Sequence, residues 1–189
     1  MATAAIRASE SLGPQWRRAA ARLGVRRTDR VTVLADGAKW IWKEVEKNLP
    51  GATGVLDFYH AGEHIYTAAH AIHGEGASAA RSWAEGQKRV LLGSGAEGVL
   101  ATLCDGPPAA QELAAYLGPH RKHTDYLARL KEGRSIGSGM VEGACKTAVG
   151  KRLKQTGARW KYRRVEHMAA LCCLRYSDRW DAYWKHAAS

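Results

Sequence analysis

The chain has 189 residues, 46% of them hydrophobic and 25% charged. That balance suits a globular protein of one domain, or part of a larger one, and excludes a disordered chain. Lys and Arg number 29 against 18 Asp and Glu, and the resulting formal charge of +11 favours a polyanionic partner, with nucleic acid ahead of a membrane surface.

Between Ser9 and Gly24, residues Leu12, Trp16, Ala19 or Ala20, and Leu23 recur at helical spacing, which predicts an amphipathic helix capped at both ends. The first thirty residues hold seven arginines against Glu10 and Asp29. The period then changes. Val31 to Ala35 is a short β-branched run that reads as a buried parallel strand, closed by Asp36 and Gly37. Ala38 to Asn48 returns to helical periodicity, Pro50-Gly51 ends it, and Gly54 to Leu56 forms a second brief strand ending at Asp57. Strand, helix and strand in such a short span make a βαβ unit, whose parallel strands place Asp36 and Asp57 on the same rim of a sheet. From Phe58 to about Gly133 the pattern is helical, with breaks at Gly74–Gly76, Gly93–Gly95 and Asp105–Pro108. A glycine-rich turn, Ile136 to Gly139, leads into a helix that starts near Met140 and carries Glu142; a last helix runs from Val165 to about Trp184, with Met168, Leu171, Cys172, Leu174 and Tyr176 available for a core.

The four cysteines, Cys104, Cys145, Cys172 and Cys173, form no CxxC pair and read as reduced small core residues. No run approaches the roughly 18 to 20 apolar residues of a membrane span. Met1 to Ser9 also lacks the apolar stretch of a secretion signal, so a cytoplasmic, nucleoid-associated location is expected.

Three patterns bear on chemistry. Asp36, Asp57 and Glu142 are acids at two strand ends and on one helix, the placement that Mg²⁺-dependent phosphoryl transfer uses, because that ion takes oxygen ligands and needs few protein carboxylates. The same acids also read as a turn residue, a helix N-cap and an i,i+4 partner of Lys146. His60, Glu63 and His64 match H-x-x-E-H, a zinc-peptidase spacing, with Glu142 downstream as a third ligand; the pairs His70/His73 and His120/His123 have no such company. Residues 143–164 carry Lys146, Lys151, Arg152, Lys154, Arg159, Lys161, Arg163 and Arg164 with no acid, interleaved with Trp160 and Tyr162. Such a stretch neutralises phosphates and offers rings to unpaired bases, where the bland alternative is a solvated helix face.

The segments VLADGAKWIW, GVLDFYHAGEHI and GSGMVEGACKTAVGKRLKQTGARW resemble bacterial DDE transposases of the ISKra group of insertion sequences, relatives of the Mutator-like superfamily. The similarity extends from about Ser9 to Trp184. It implies an α/β, RNase H-like core with a helical insertion before the final glutamate, in which two parallel strands of an expected five are present. It also implies that Asp36 and Glu142 are catalytic, metal-binding carboxylates for a two-metal Mg²⁺ or Mn²⁺ site, and that Asp57 and His60 are the D-x-x-H signature, which sets the zinc-peptidase reading aside. No acid ahead of Asp36 occupies a strand of its own, so the expected first aspartate is missing and N-terminal truncation is expected.

The resulting organisation is a core fragment over 1–57, a helical insertion over 58–133 and a C-terminal segment over 134–189 with the glutamate and a basic tail. The expected function is that of the C-terminal part of an enzyme that cleaves element-end DNA and joins it to target DNA, inactive alone. Its expected partners are DNA and a second copy or full-length transposase, with no membrane. A basic, non-catalytic DNA-binding or regulatory fragment is the alternative, and a zinc metallopeptidase built on His60, Glu63 and His64 is the third reading.

Overall fold

The computed structural model describes residues 12–26, 28–154 and 157–187, apart from the side chains of Met140, Glu142, Ala148 and Ala187. The Ser9 cap and Glu10 lie outside the described residues. The elements in order are α1 (Gly13–Arg22), β1 (Thr32–Ala35), α2 (Lys39–Asn48), β2 (Thr53–Leu56), α3 (Phe58–His73), α4 (Ser78–Thr102), α5 (Pro108–Leu117), a 3₁₀ segment (Gly118–His123), α6 (Tyr126–Lys131) and α7 (Gly139–Cys145). A π-helical turn (Lys146–Gly150), α8 (Lys151–Leu153), α9 (Tyr162–Tyr176) and α10 (Trp180–Ala187) complete the chain. The class is α/β and mostly helical, with one two-stranded parallel sheet among the described residues.

The strands pair in the register Thr32↔Thr53 to Ala35↔Leu56. The Asp57 amide donates to the Ala35 carbonyl at 2.8 Å, carrying the ladder one residue past β2. β1 and β2 belong to a compact unit made of Arg30–Lys43 and Gly51–Ser138. The helical stretch expected as an insertion therefore packs in one body with the sheet.

On α3 the spacing of Phe58, Ala61, Ile65, Ala68 and Ala69 builds one apolar face, and all five are buried. They share a core with Val55, Leu56, Leu91, Val99, Leu117 and Tyr126. Truncating a fully buried residue such as Leu91 to Ala would cost roughly 2 to 5 kcal/mol. The expected breaks coincide with helix ends at His73 and Pro108 and with a kink at Gly95, whose φ of 64° and ψ of −166° interrupt α4. The Thr124 hydroxyl oxygen accepts the Ala96 amide at 2.8 Å and restarts the helix there.

The second unit takes in the described residues up to Asp29, Glu44–Pro50, and the chain from Gly139 onward. α1 brings Gly13 against Glu44 and Asn48, and the Asn48 side chain donates to the Glu44 carboxylate at 3.0 Å. The last helix is not continuous. It breaks after Tyr176, where Asp178 adopts φ 54°, because Ser177 and Asp178 are poor helix formers and Asp tolerates the left-handed region. Of the expected core residues there, Tyr176 is exposed and Met168, Leu171, Cys172 and Leu174 are half-buried; Ala169 and Cys173 fill the buried positions instead. The cysteines are all free, but only Cys173 is buried, while Cys104 and Cys145 are exposed. Three of the four are thus not core residues.

Candidate functional site

The register Ala35↔Leu56 makes Asp36 and Asp57 the next positions on two adjacent parallel strands, at their carboxyl ends. That rim is where open α/β sheets bind ligands. The two acids differ in almost everything else.

Asp36 is exposed, and its Oδ1 accepts the Ala38 amide at 3.0 Å, leaving Oδ2 uncommitted among the described residues. The following residue has to be glycine. A Cβ on Gly37 would stand 2.5 Å from Cε2 of the Tyr116 ring, which is packed against the turn.

Asp57 is 2% exposed. Its Oδ1 accepts the amides of Tyr59 at 2.8 Å and His60 at 3.0 Å, capping α3; its Oδ2 accepts the Ser138 amide at 2.6 Å and the Ser138 hydroxyl. Burial alone would push this carboxyl up, but the Ser138 hydroxyl and the amides of His60, Ser138 and Tyr59 outweigh it and hold it below the ordinary carboxylate value. Four donors occupy the four lone-pair directions of a carboxylate, so Asp57 serves as cap and clasp, not as a metal ligand. The role this geometry gives it is positioning, in place of the catalytic role the D-x-x-H resemblance implies.

The clasp reaches across 81 positions to the glycine-rich turn. The Phe58 amide also donates to the Ile136 carbonyl at 3.0 Å, and the Arg129 guanidinium donates twice to the Ser135 carbonyl at 3.1 Å. A side chain at Gly137 would displace the exposed Tyr59 ring. Four residues beyond Ser138 comes Glu142, on α7; its side chain lies outside the described residues.

Around the open acid sits a cluster of rings. Tyr116 stacks on His64 at 3.8 Å between centroids and stands 6.5 Å from His60 and 5.8 Å from His120. Burial first, and then the charges of Asp36, Asp57 and Glu63, push the Tyr116 phenol up, so it stays a hydrogen-bond donor at neutral pH. Burial pushes His64 and His120 down, with His60 adding to the effect at His64, so both are neutral there. Among the described residues, Trp42 Nε1, Tyr116 Oη and His120 Nδ1 are buried with no hydrogen-bond partner. Polar atoms left so in a native interior call for an explanation, and a polar site is one. His60 is half-buried, with Nδ1 3.2 Å from a Glu63 carboxylate oxygen. Among the described residues no group of three His, Cys, Asp or Glu side chains is placed to hold a metal ion, so His60 and His64 have no third protein ligand for zinc there.

Comparison with protein-family models, with curated proteins and with solved structures returned no match. The site therefore stands on its own residues.

Tyr116 and Ser138 escape a reading of the sequence, while His64 and His120 stood out there only as part of a zinc-peptidase spacing and as half of an unaccompanied pair. Ser138 carried a signal, since it lies between two glycines in a turn; Tyr116 carried none, being one ring in an Ala- and Leu-rich helix.

In the other unit, Lys146, Lys151, Arg152, Lys154, Arg159, Trp160, Lys161, Arg163 and Arg164 are all exposed. Lys161 is the N-cap of α9 and Arg163 and Arg164 lie in its first turn, which has no acid. Cations at the positive end of a helix dipole destabilise it, and polyanion contact would relieve that repulsion. No helix of the described residues is long and apolar enough to cross a membrane.

Proposed function

We propose that the chain is the C-terminal part of a DDE-type DNA transposase with an RNase H-like core, in which Asp36 and Glu142 hold Mg²⁺ or Mn²⁺ and residues 143–164 contact DNA. The observation that carries this reading is Asp36: a carboxylate at the carboxyl end of a parallel strand, exposed, with one oxygen uncommitted. An oxygen donor of that kind fits a hard divalent cation, and the saturated Asp57 does not. When bound, such ions activate the attacking oxygen and stabilise the leaving one. The chain's own residues do the rest. Tyr116 and the neutral His120 line the approach to Asp36 with hydrogen-bonding atoms; Asp57 holds the Ile136–Ser138 turn from which the chain leads to Glu142; His60 stands at the edge of this lining, where it orients a DNA group.

Among the described residues no strand precedes β1 to carry a further acid, so cleavage by these residues alone is not expected. A non-catalytic DNA-binding role is the second reading, favoured by the exposed, acid-free stretch. The test is Mn²⁺ binding followed by plasmid nicking, on a plasmid carrying the DNA that flanks the coding sequence. Asp36→Asn and Glu142→Gln should each weaken Mn²⁺ binding at least tenfold, while the unaltered chain leaves the plasmid intact. Mn²⁺ affinity indifferent to both substitutions would remove the carboxylate site and leave the second reading.

A further inference from the structure

Residues 157–164 are exposed without exception. Gly157 turns the chain with φ 79°, the next residues belong to no helix or strand, Lys161 is extended at φ −74° and ψ 142°, and α9 begins at Tyr162. Cations and rings alternate along this run: Arg159, Trp160, Lys161, Tyr162, Arg163. Trp160 is 39% and Tyr162 57% exposed. Among the described residues, Arg159, Lys161, Arg163 and Arg164 form no ion pair with the chain's own acids.

Cations alone suffice for duplex DNA, whose phosphates lie outside and whose base faces are stacked away. Exposed rings set between those cations add affinity only where a base is unpaired, because every unpaired base offers a face for stacking and a paired one does not. We infer that residues 159–164 form a stacking platform that selects unpaired DNA over duplex DNA. Charge complementarity identifies the occupant as a polyanion, and the interleaved rings identify it as one with open bases. This rests on the proposal that the basic stretch contacts DNA, and it is independent of the carboxylate site.

The test is fluorescence anisotropy of the full chain with labelled single-stranded DNA, the matching duplex and single-stranded RNA, across a salt series. Raising salt weakens phosphate contacts and spares stacking. At the highest usable salt, single-stranded DNA should bind about tenfold more tightly than duplex. Trp160→Ala with Tyr162→Ala should abolish that preference while changing duplex affinity less than about twofold, and Trp160→Phe with Tyr162→Phe should preserve it. Arg159→Ala with Lys161→Ala should weaken both DNA forms alike and flatten the salt slope by up to about two units. The same change in both DNA forms on removing the rings, equal affinity for both in the unaltered chain, or preference for RNA would each overturn the inference. Binding of duplex with no preference leaves the proposed DNA contact standing, whereas binding of no nucleic acid removes both. Unchanged circular dichroism in the ring variants excludes unfolding as the cause.

Discussion

The two strand ends of the small sheet carry the same residue type at the same register position and are opposite in circumstance. At the end of β1, Asp36 faces solvent with a single hydrogen bond among the described residues; at the end of β2, Asp57 is buried beneath four. A shared rim does not confer a shared role. A carboxylate can ligate an ion or hold a fold together according to what the rest of the chain brings to its oxygens.

The largest expected effect breaks the closed end. Asp57→Ala removes a helix cap and leaves the half-buried Ser138 amide without its partner, which should cost roughly 3 kcal/mol by urea unfolding. Asp57→Asn should recover part of the loss, because Oδ1 still caps α3 while an amide nitrogen meets the Ser138 amide. Equal stability of Asp57→Ala and the unaltered chain would show that the clasp is not formed.

Next in size is Gly37→Ala, which drives a methyl into the Tyr116 ring and should cost about 1 to 3 kcal/mol. Pairing it with Tyr116→Ala should relieve the collision, so the two losses should be less than additive in a double-mutant cycle. Ser138→Ala comes close behind. It deletes one hydrogen bond to a charged acceptor while the backbone one remains, for about 1.5 kcal/mol.

Acidity sharpens the same contrast. Asp57 has a folded pKa below its unfolded value, so the unfolded chain takes up the proton first as pH falls. Its stabilisation is therefore complete above about pH 4 and lost as pH drops through the lower folded value. His64 and His120 are depressed too, and stability should begin to fall below about pH 6.5, as the unfolded chain protonates ahead of the folded one. Thermal melts between pH 7 and 3 should show both limbs; Asp57→Asn should make the acid limb shallower, and His64→Gln with His120→Gln should flatten the upper one.

The smallest effect belongs to the open end. Asp36→Asn keeps the oxygen that accepts the Ala38 amide and should change stability by less than about 0.5 kcal/mol, as surface substitutions do. Calorimetry checks this, and a larger loss would mean that Asp36 also has a structural duty.

Much of this was legible along the chain. β-branched runs at Val31–Ala35 and around Val55 specify short strands, and the helical period of Ile41, Trp42, Val45 and Leu49 between them specifies the crossover, so the shared rim of Asp36 and Asp57 follows from residue order alone. Local signals also placed the breaks at Gly74–Gly76, Gly95 and Asp105–Pro108, because backbone conformation at Gly and Pro is a property of a few neighbouring residues. The division of labour between the two acids was decided only in three dimensions. It depends on Ser138 arriving from 81 residues away and on the Tyr116 ring pressing on Gly37. The sequence admits Asp57 equally as cap and as catalyst, since carboxylate chemistry is the same in both. Burial and hydrogen-bond donors supplied by distant segments separate the two roles, and no periodicity records them.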